Sequence, residues 1–113
     1  MHELGITRSI VEIAEQTARE QHAEKVLSVT VEIGELSGVI PDAVEFCFEA
    51  CVQESMLAGS RLIINFVKGL GRCEECGSEF GMDNMTFNCP ECESYAVQRI
   101  RGEELRVKEV EIE

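Results

Sequence analysis

The sequence predicts an α+β fold: a three-stranded sheet with two helices on one face, plus an inserted four-cysteine, zinc-ribbon-like module. Three observations lead to this prediction. Two helix-like segments alternate with two strand-like segments between residues 4 and 67. A cysteine-rich segment follows. The chain then ends in residues 105–112, which resemble the earlier strands far more than they resemble the cysteine-rich segment.

The first helix is predicted from Leu4 to about Gln21, because apolar residues recur there at steps of three and four. Its apolar face contains Ile6, Ile10, Ile13, Ala14, Thr17 and Ala18. The segment from Val26 to Ile33 alternates instead, which predicts a half-buried strand. The residues expected on its buried face are Leu27, Val29, Val31 and Ile33.

The second helix is predicted to begin at Pro41, since proline fits the first turn and the acidic Asp42 follows it. Its apolar stripe contains Val44, Cys47, Phe48 and Cys51. The two cysteines of that stripe are interpreted as small core residues, the usual role of a free cysteine on an apolar face.

The second and third strands are predicted at residues 61–67 and 105–112. In the last strand, Val110 is out of phase with Val107, which predicts a β-bulge near Lys108 or Glu109. We therefore expect residues 1–68 and 103–113 to form one α+β domain that is interrupted by a metal-binding domain at 69–102. This order also permits exchange of elements between two chains, so a homodimer is a topological option.

The strongest motif consists of two Cys-x-x-Cys pairs, Cys73 with Cys76 and Cys89 with Cys92. Four thiolates at this spacing suit a tetrahedral structural Zn²⁺ and leave no position open for water or substrate. The segment has few large apolar residues, so we expect metal binding to supply its folding free energy. Two disulfides and a rubredoxin-like iron site are the alternatives, and zinc is favoured.

The formal net charge of −12 disfavours binding to nucleic acid or to an anionic membrane surface, since both need a basic face. It favours cationic partners, including metal ions. We expect no membrane insertion and no secretory leader, and therefore a cytoplasmic protein with reduced thiols. A closed zinc site without a nucleophile–base pair also predicts that the chain is not an enzyme.

The amino terminus offers a second set of ligands, formed by the amine of Met1, the imidazole of His2 and nearby backbone amides. Amide nitrogens at a helix start have no intrahelical partner and are free to bind a metal. Such a nitrogen-rich set suits Ni²⁺ or Cu²⁺, and the carboxylate of Glu3 adds negative charge beside the cation. From the residues alone, however, a solvated terminal histidine is the commoner interpretation.

Three stretches together resemble the HypA family: MHE at the start, IGELSG after the first strand, and the two cysteine pairs. The resemblance covers nearly the whole chain. It implies a metallochaperone that supplies Ni²⁺ to the large subunit precursor of a [NiFe]-hydrogenase, together with a nickel-insertion GTPase, and in some bacteria to urease. It also implies that His2 is the essential nickel ligand with Glu3 as its companion, and that the four cysteines hold structural Zn²⁺.

Two points stay open. The fourth nickel ligand is not identified, and Asp42 and Glu45 are guesses at the start of the second helix. Glu35 lies in the IGELSG stretch without an assigned metal role. The alternative function is a zinc-ribbon adaptor that grips a protein partner without nickel transfer.

Overall fold

The computed structural model describes residues 2–113 and confirms the α+β class. Its elements are α1 (Glu3–Glu20), β1 (Val26–Gly34), a 3₁₀ turn (Glu35–Ser37), α2 (Pro41–Cys51), β2 (Arg61–Val67), β3 (Gly69–Cys73), β4 (Glu79–Met82), β5 (Val97–Arg101) and β6 (Leu105–Ile112). They form two three-stranded sheets, with the strand orders β2–β1–β6 and β4–β3–β5. The second sheet lies between β2 and β6 in the sequence, as expected for an inserted module.

The main sheet is organised around β1, which pairs with β2 in parallel and with β6 in antiparallel orientation. Val29, Val31 and Ile33 of β1 are completely buried. They share one core with residues of both helices, among them Ala14 of α1 and Phe48 of α2. The two helices therefore cover one face of this sheet, as predicted.

The predicted bulge in the last strand is confirmed. Glu109 lies opposite Thr30 and Val107 lies opposite Val31, so Lys108 is the extra residue. The extra residue explains why the apolar residues of β6 change phase.

A second irregularity at the start of β1 was not predicted. Val26 pairs with Ile112 and Ser28 with Glu111, so Leu27 has no partner in β6. The expectation that Leu27 shares the buried face of Val29 was wrong, because Leu27 is only half-buried while Val26 is fully buried. One extra residue reverses the side-chain phase of a strand.

The buried stripe of α1 also differs from the prediction. Ile13 is 49% exposed, whereas Val11 and Thr7 are buried. The helix contacts α2 as well as the sheet, so its buried stripe is turned from the expected one. Thr7 tolerates burial because its hydroxyl donates to the Glu3 carbonyl oxygen at 2.7 Å.

The second sheet has β3 at its centre, with β4 and β5 antiparallel on either side. Met82 is its one large buried side chain other than the cysteines, within residues 69–102 of the described chain. Three of its apolar side chains are strongly exposed: Met85 at 78%, Phe87 at 66% and Tyr95 at 79%. This sheet therefore lacks an adequate apolar core. The division into domains at 69–102 stays a prediction.

Across residues 2–113, no helix combines the length and the apolar character that a membrane crossing requires.

Substitution of Ile33, which is buried, and of Ile13, which is half exposed, tests where the core lies. Ile33→Ala should lower the free energy of unfolding by about 2–5 kcal/mol, because it leaves a cavity beneath both helices. Ile13→Ala should cost about 1 kcal/mol or less, because that side chain is half exposed. Urea unfolding followed by circular dichroism measures both values. Equal losses for the two variants would contradict the buried stripe described above.

Candidate metal centres

The two cysteine pairs form turns with the same hydrogen-bond pattern. In the first, the Gly77 N–H donates to the Cys73 carbonyl oxygen at 3.0 Å, and the Cys73 N–H donates to the Ser78 carbonyl oxygen at 2.9 Å. In the second, the equivalent bonds join Glu93 to Cys89 at 2.9 Å and Cys89 to Ser94 at 2.8 Å. The residue after each pair has a positive φ, 76° at Gly77 and 65° at Glu93. Each cysteine pair therefore lies in a tight turn.

These turns bring all four sulfur atoms together. They lie within 4.8 Å of one another, with 3.5 Å between Cys73 and Cys92 and 3.6 Å between Cys76 and Cys89. Sulfur ligands of a tetrahedral zinc ion, at about 2.3 Å from the metal, are separated by about 3.8 Å. A disulfide bond would need about 2.0 Å. All four cysteines are free, so the disulfide alternative is not what the structure contains.

The closeness of the thiols affects their protonation. The Cys76 backbone N–H lowers the pKa of Cys73 to about 7. The Ser94 N–H favours the Cys92 thiolate, but the side chain of Cys73 opposes it and the pKa of Cys92 rises to about 12. Hydrogen bonding within the cluster thus favours the thiolate of Cys73 and the protonated thiol of Cys92. A cation at the centre removes this opposition, so the cluster is chemically suited to a metal.

The structure brings the predicted amino-terminal residues to an exposed helix start. His2 is exposed, precedes α1, and makes no side-chain capping bond. The Glu3 carboxylate accepts a hydrogen bond from the Ile40 N–H at 3.3 Å, just before α2 begins. Its own N–H and that of Ile40 lower the pKa of Glu3. Met1 lies outside the described residues.

The guessed fourth nickel ligands do not join His2 in a cluster of side chains. Within residues 2–113, the four cysteines form the one group of three or more His, Cys, Asp or Glu side chains that could share an ion. Asp42 and Glu45 are exposed at the start of α2.

The sequence did not reveal the contacts of Glu35. Its carboxylate accepts a hydrogen bond from the Gly69 N–H at 2.9 Å, where the chain enters β3. The only signal in the sequence is an acidic residue directly after a strand, within the IGELSG stretch.

A family model described as "Hydrogenase/urease nickel incorporation, metallochaperone, hypA" matches residues 1–112. The chain belongs to the HypA family. It is 52% identical to the hydrogenase maturation factor HypA of Geobacter metallireducens, covering 100% of both chains. It is 46% identical to the factor of the same name from Nostoc punctiforme, covering 100% of this chain and 96% of the relative.

Solved structures of HypA proteins have the same fold. The Ni metallochaperone HypA from Helicobacter pylori matches with a TM-score of 0.67 and 28% identity, covering 99% of this chain and 97% of that one. The family resemblance inferred from the three sequence stretches is thus confirmed. The family is described as metallochaperones of nickel incorporation for hydrogenase and urease.

Removal of the ion tests the role of the cysteine cluster. Treatment with a strong chelator under reducing conditions should unfold residues 69–102, because four crowded thiols and little apolar burial remain. The β2–β1–β6 sheet should persist, since its core is separate. Amide signals in ¹H–¹⁵N spectra report both regions, and restoring the ion should reverse the change. A metal-free module with undisturbed signals would contradict this dependence.

Proposed function

We propose that this chain binds Ni²⁺ at its amino terminus and delivers it during maturation of [NiFe]-hydrogenase, or of urease, while a second ion at the four cysteines is structural Zn²⁺. The proposal is supported by membership of a nickel-incorporation family over residues 1–112. The exposed position of His2 before α1 is the structural observation on which the nickel site depends.

Zinc is the ion we assign to the cysteine cluster. Cys73 and Cys89 are almost fully buried, at 1% and 0% exposure, and the other two cysteines close the cluster from outside. Four thiolates fill a tetrahedral zinc ion, so no position remains for a substrate. Bound there, zinc supplies folding free energy to residues 69–102 and carries out no chemistry. The protein therefore transfers a metal and is not an enzyme.

Nickel, in contrast, is cargo. The proposed ligands are the imidazole of His2, the amine of Met1 and backbone amides at the start of α1, with Glu3 adding negative charge. The amide nitrogens at a helix start can be recruited without loss of intrahelical hydrogen bonds. Nitrogen donors suit square-planar Ni²⁺. Because the imidazole is exposed, another protein can approach the ion and accept it.

The partners we propose are a nickel-insertion GTPase and the large subunit precursor of a [NiFe]-hydrogenase. Family membership supports this choice, since its members are described as hydrogenase maturation factors. The net charge of −12 gives a general attraction to basic protein surfaces. The same charge disfavours nucleic acid, the other common partner of zinc-ribbon folds.

Substitution of His2 tests the nickel assignment. His2→Ala should abolish specific Ni²⁺ binding, because it removes the side-chain donor while leaving the cysteine cluster untouched. Calorimetric titration with Ni²⁺ measures the affinity, and elemental analysis of the purified protein measures zinc and iron. We expect one zinc ion per chain and no iron in the parent and in His2→Ala.

His22→Ala is the matched control, since His22 is also exposed but follows α1 at its other end. It should bind Ni²⁺ like the parent. Equal nickel affinity in His2→Ala and the parent, with an intact amino terminus, would overturn the assignment. If the parent itself retains zinc and takes up no nickel, the adaptor function is the one that remains.

A further inference from the structure

The chain passes between the two sheets twice, and both passages lie against the last residue of β1 and the residues directly after it. The incoming passage is bonded at Gly69, whose N–H donates to the Glu35 carboxylate at 2.9 Å. On the return, the Gly102 carbonyl oxygen accepts from the Leu36 N–H at 2.6 Å, and the Glu104 carbonyl oxygen accepts from the Gly34 N–H at 2.7 Å. Three consecutive residues therefore bind both connections.

The packing at this crossing leaves almost no free space. A Cβ placed on Gly102 would lie 2.7 Å from the Cα of Gly69 and 3.1 Å from the side chain of Leu36. A Cβ on Gly69 would collide with the Met82 carbonyl oxygen, and one on Gly34 with the Gly102 carbonyl oxygen. Leu36 is 6% exposed, so its side chain fills the junction. Backbones in such close contact have few alternative arrangements.

Glu35 supplies a charged bond to the incoming passage. Gly69 is buried, so its N–H needs a partner, and a carboxylate acceptor gives a stronger bond than a neutral one. The backbone carbonyl oxygen of Glu35 also accepts a hydrogen bond from the side chain of Asn84, on the loop after β4, at 3.4 Å. Glu35 thus contacts the cysteine module at two separate points.

The same short segment also reaches the amino terminus. The Ile40 N–H donates to the Glu3 carboxylate at 3.3 Å. Between these ends, the Ser37 hydroxyl donates to the Gly34 carbonyl oxygen at 2.7 Å and accepts from the Val39 N–H at 3.2 Å. Internal bonds of this kind make residues 34–40 a stiff unit with the module at one end and Glu3 at the other.

We propose that Glu35 is a positioning residue that holds the cysteine module in one orientation and couples that orientation to Glu3. The coupling deepens the proposed function, because Glu3 adjoins the nickel site proposed at His2. Because coupling is reciprocal, loss of the Gly69–Glu35 hydrogen bond should weaken the Ile40–Glu3 hydrogen bond, and loss of the second should weaken the first. The bond from Gly69 and its effect on orientation do not depend on nickel.

Glu35→Ala and Glu35→Gln, in the full-length protein with its cysteine site loaded, test this proposal. In Glu35→Ala the Gly69 amide should exchange its hydrogen about tenfold faster or more, because its charged acceptor is lost. Residual dipolar couplings should then require different alignment tensors for residues 69–102 and for the main sheet, where the parent needs one. Glu35→Gln retains an acceptor oxygen and should restore most of the parent's behaviour.

The link to the amino terminus has its own readout. Amide exchange at Ile40 should accelerate in Glu35→Ala, and exchange at Gly69 should accelerate in Glu3→Ala. Glu12→Ala, an exposed acid on α1, is the matched control and should change neither amide. Should Glu35→Ala fail to fold, Glu35→Asp retains the charge with a shorter reach and gives the same comparison.

Three results would overturn the proposal. One is a single shared alignment tensor in the alanine variant. Another is a Glu35→Gln variant whose Gly69 amide exchange and alignment tensors equal those of Glu35→Ala, which would mean that the acceptor oxygen is irrelevant. The third is a change confined to Gly69, which would remove the connection to Glu3. None of these measurements uses nickel, so failure here is distinct from failure of the His2 titration.

Discussion

Repulsion among four thiolates is the constraint on which the smaller sheet depends. Their sulfur atoms lie within 4.8 Å of one another, so thiolate charges there repel one another unless a cation is present. An ion at the centre changes this repulsion into attraction. Since Met82 is nearly the whole buried apolar core of the module, we expect a bound ion to decide whether β3, β4 and β5 remain together.

The amino-terminal region differs from the cysteine cluster in exposure, since His2 is exposed whereas Cys73 and Cys89 are buried. Here the fold supplies a support, α1 packed on a buried sheet, and leaves His2 exposed at the helix start. Burial of ligands favours retention of an ion, whereas exposure favours exchange with another protein. Under the proposed function, the chain separates the two tasks in space, with one ion enclosed by sulfur and the other presented from nitrogen atoms. The segment after β1 contacts both regions.

The regular parts of the fold followed from the sequence because their patterns are local. The bounds of β2 were predicted from its content of Leu, Ile, Phe and Val, and those of β6, with a bulge near Lys108 or Glu109, from the alternation of its side chains. Ile13 and Leu27 were misplaced for a common reason. Which side of an amphipathic segment is buried depends on its neighbours, and a single unpaired residue changes the phase.

The small strands of the module escaped prediction for a different reason. They are four or five residues long and bury few apolar side chains, and β3 and β4 contain glycine, so no periodic signal is present. The four cysteines, in contrast, were recognisable from spacing alone, because metal geometry restricts it. The contacts of Glu35 could not be predicted, since Gly69 and Asn84 are distant in sequence and only the folded chain brings them together.

The side-by-side passage of Gly69 and Gly102 has a consequence for how such a protein can change. An insertion whose two ends lie side by side can vary in length and sequence while the strands on either side, here β2 and β6, keep their spacing. Closing a longer loop costs little entropy, about 0.6 kcal/mol for each doubling in length. The inserted module can therefore be exchanged, in evolution or by design, provided that Gly69 and Gly102 are kept.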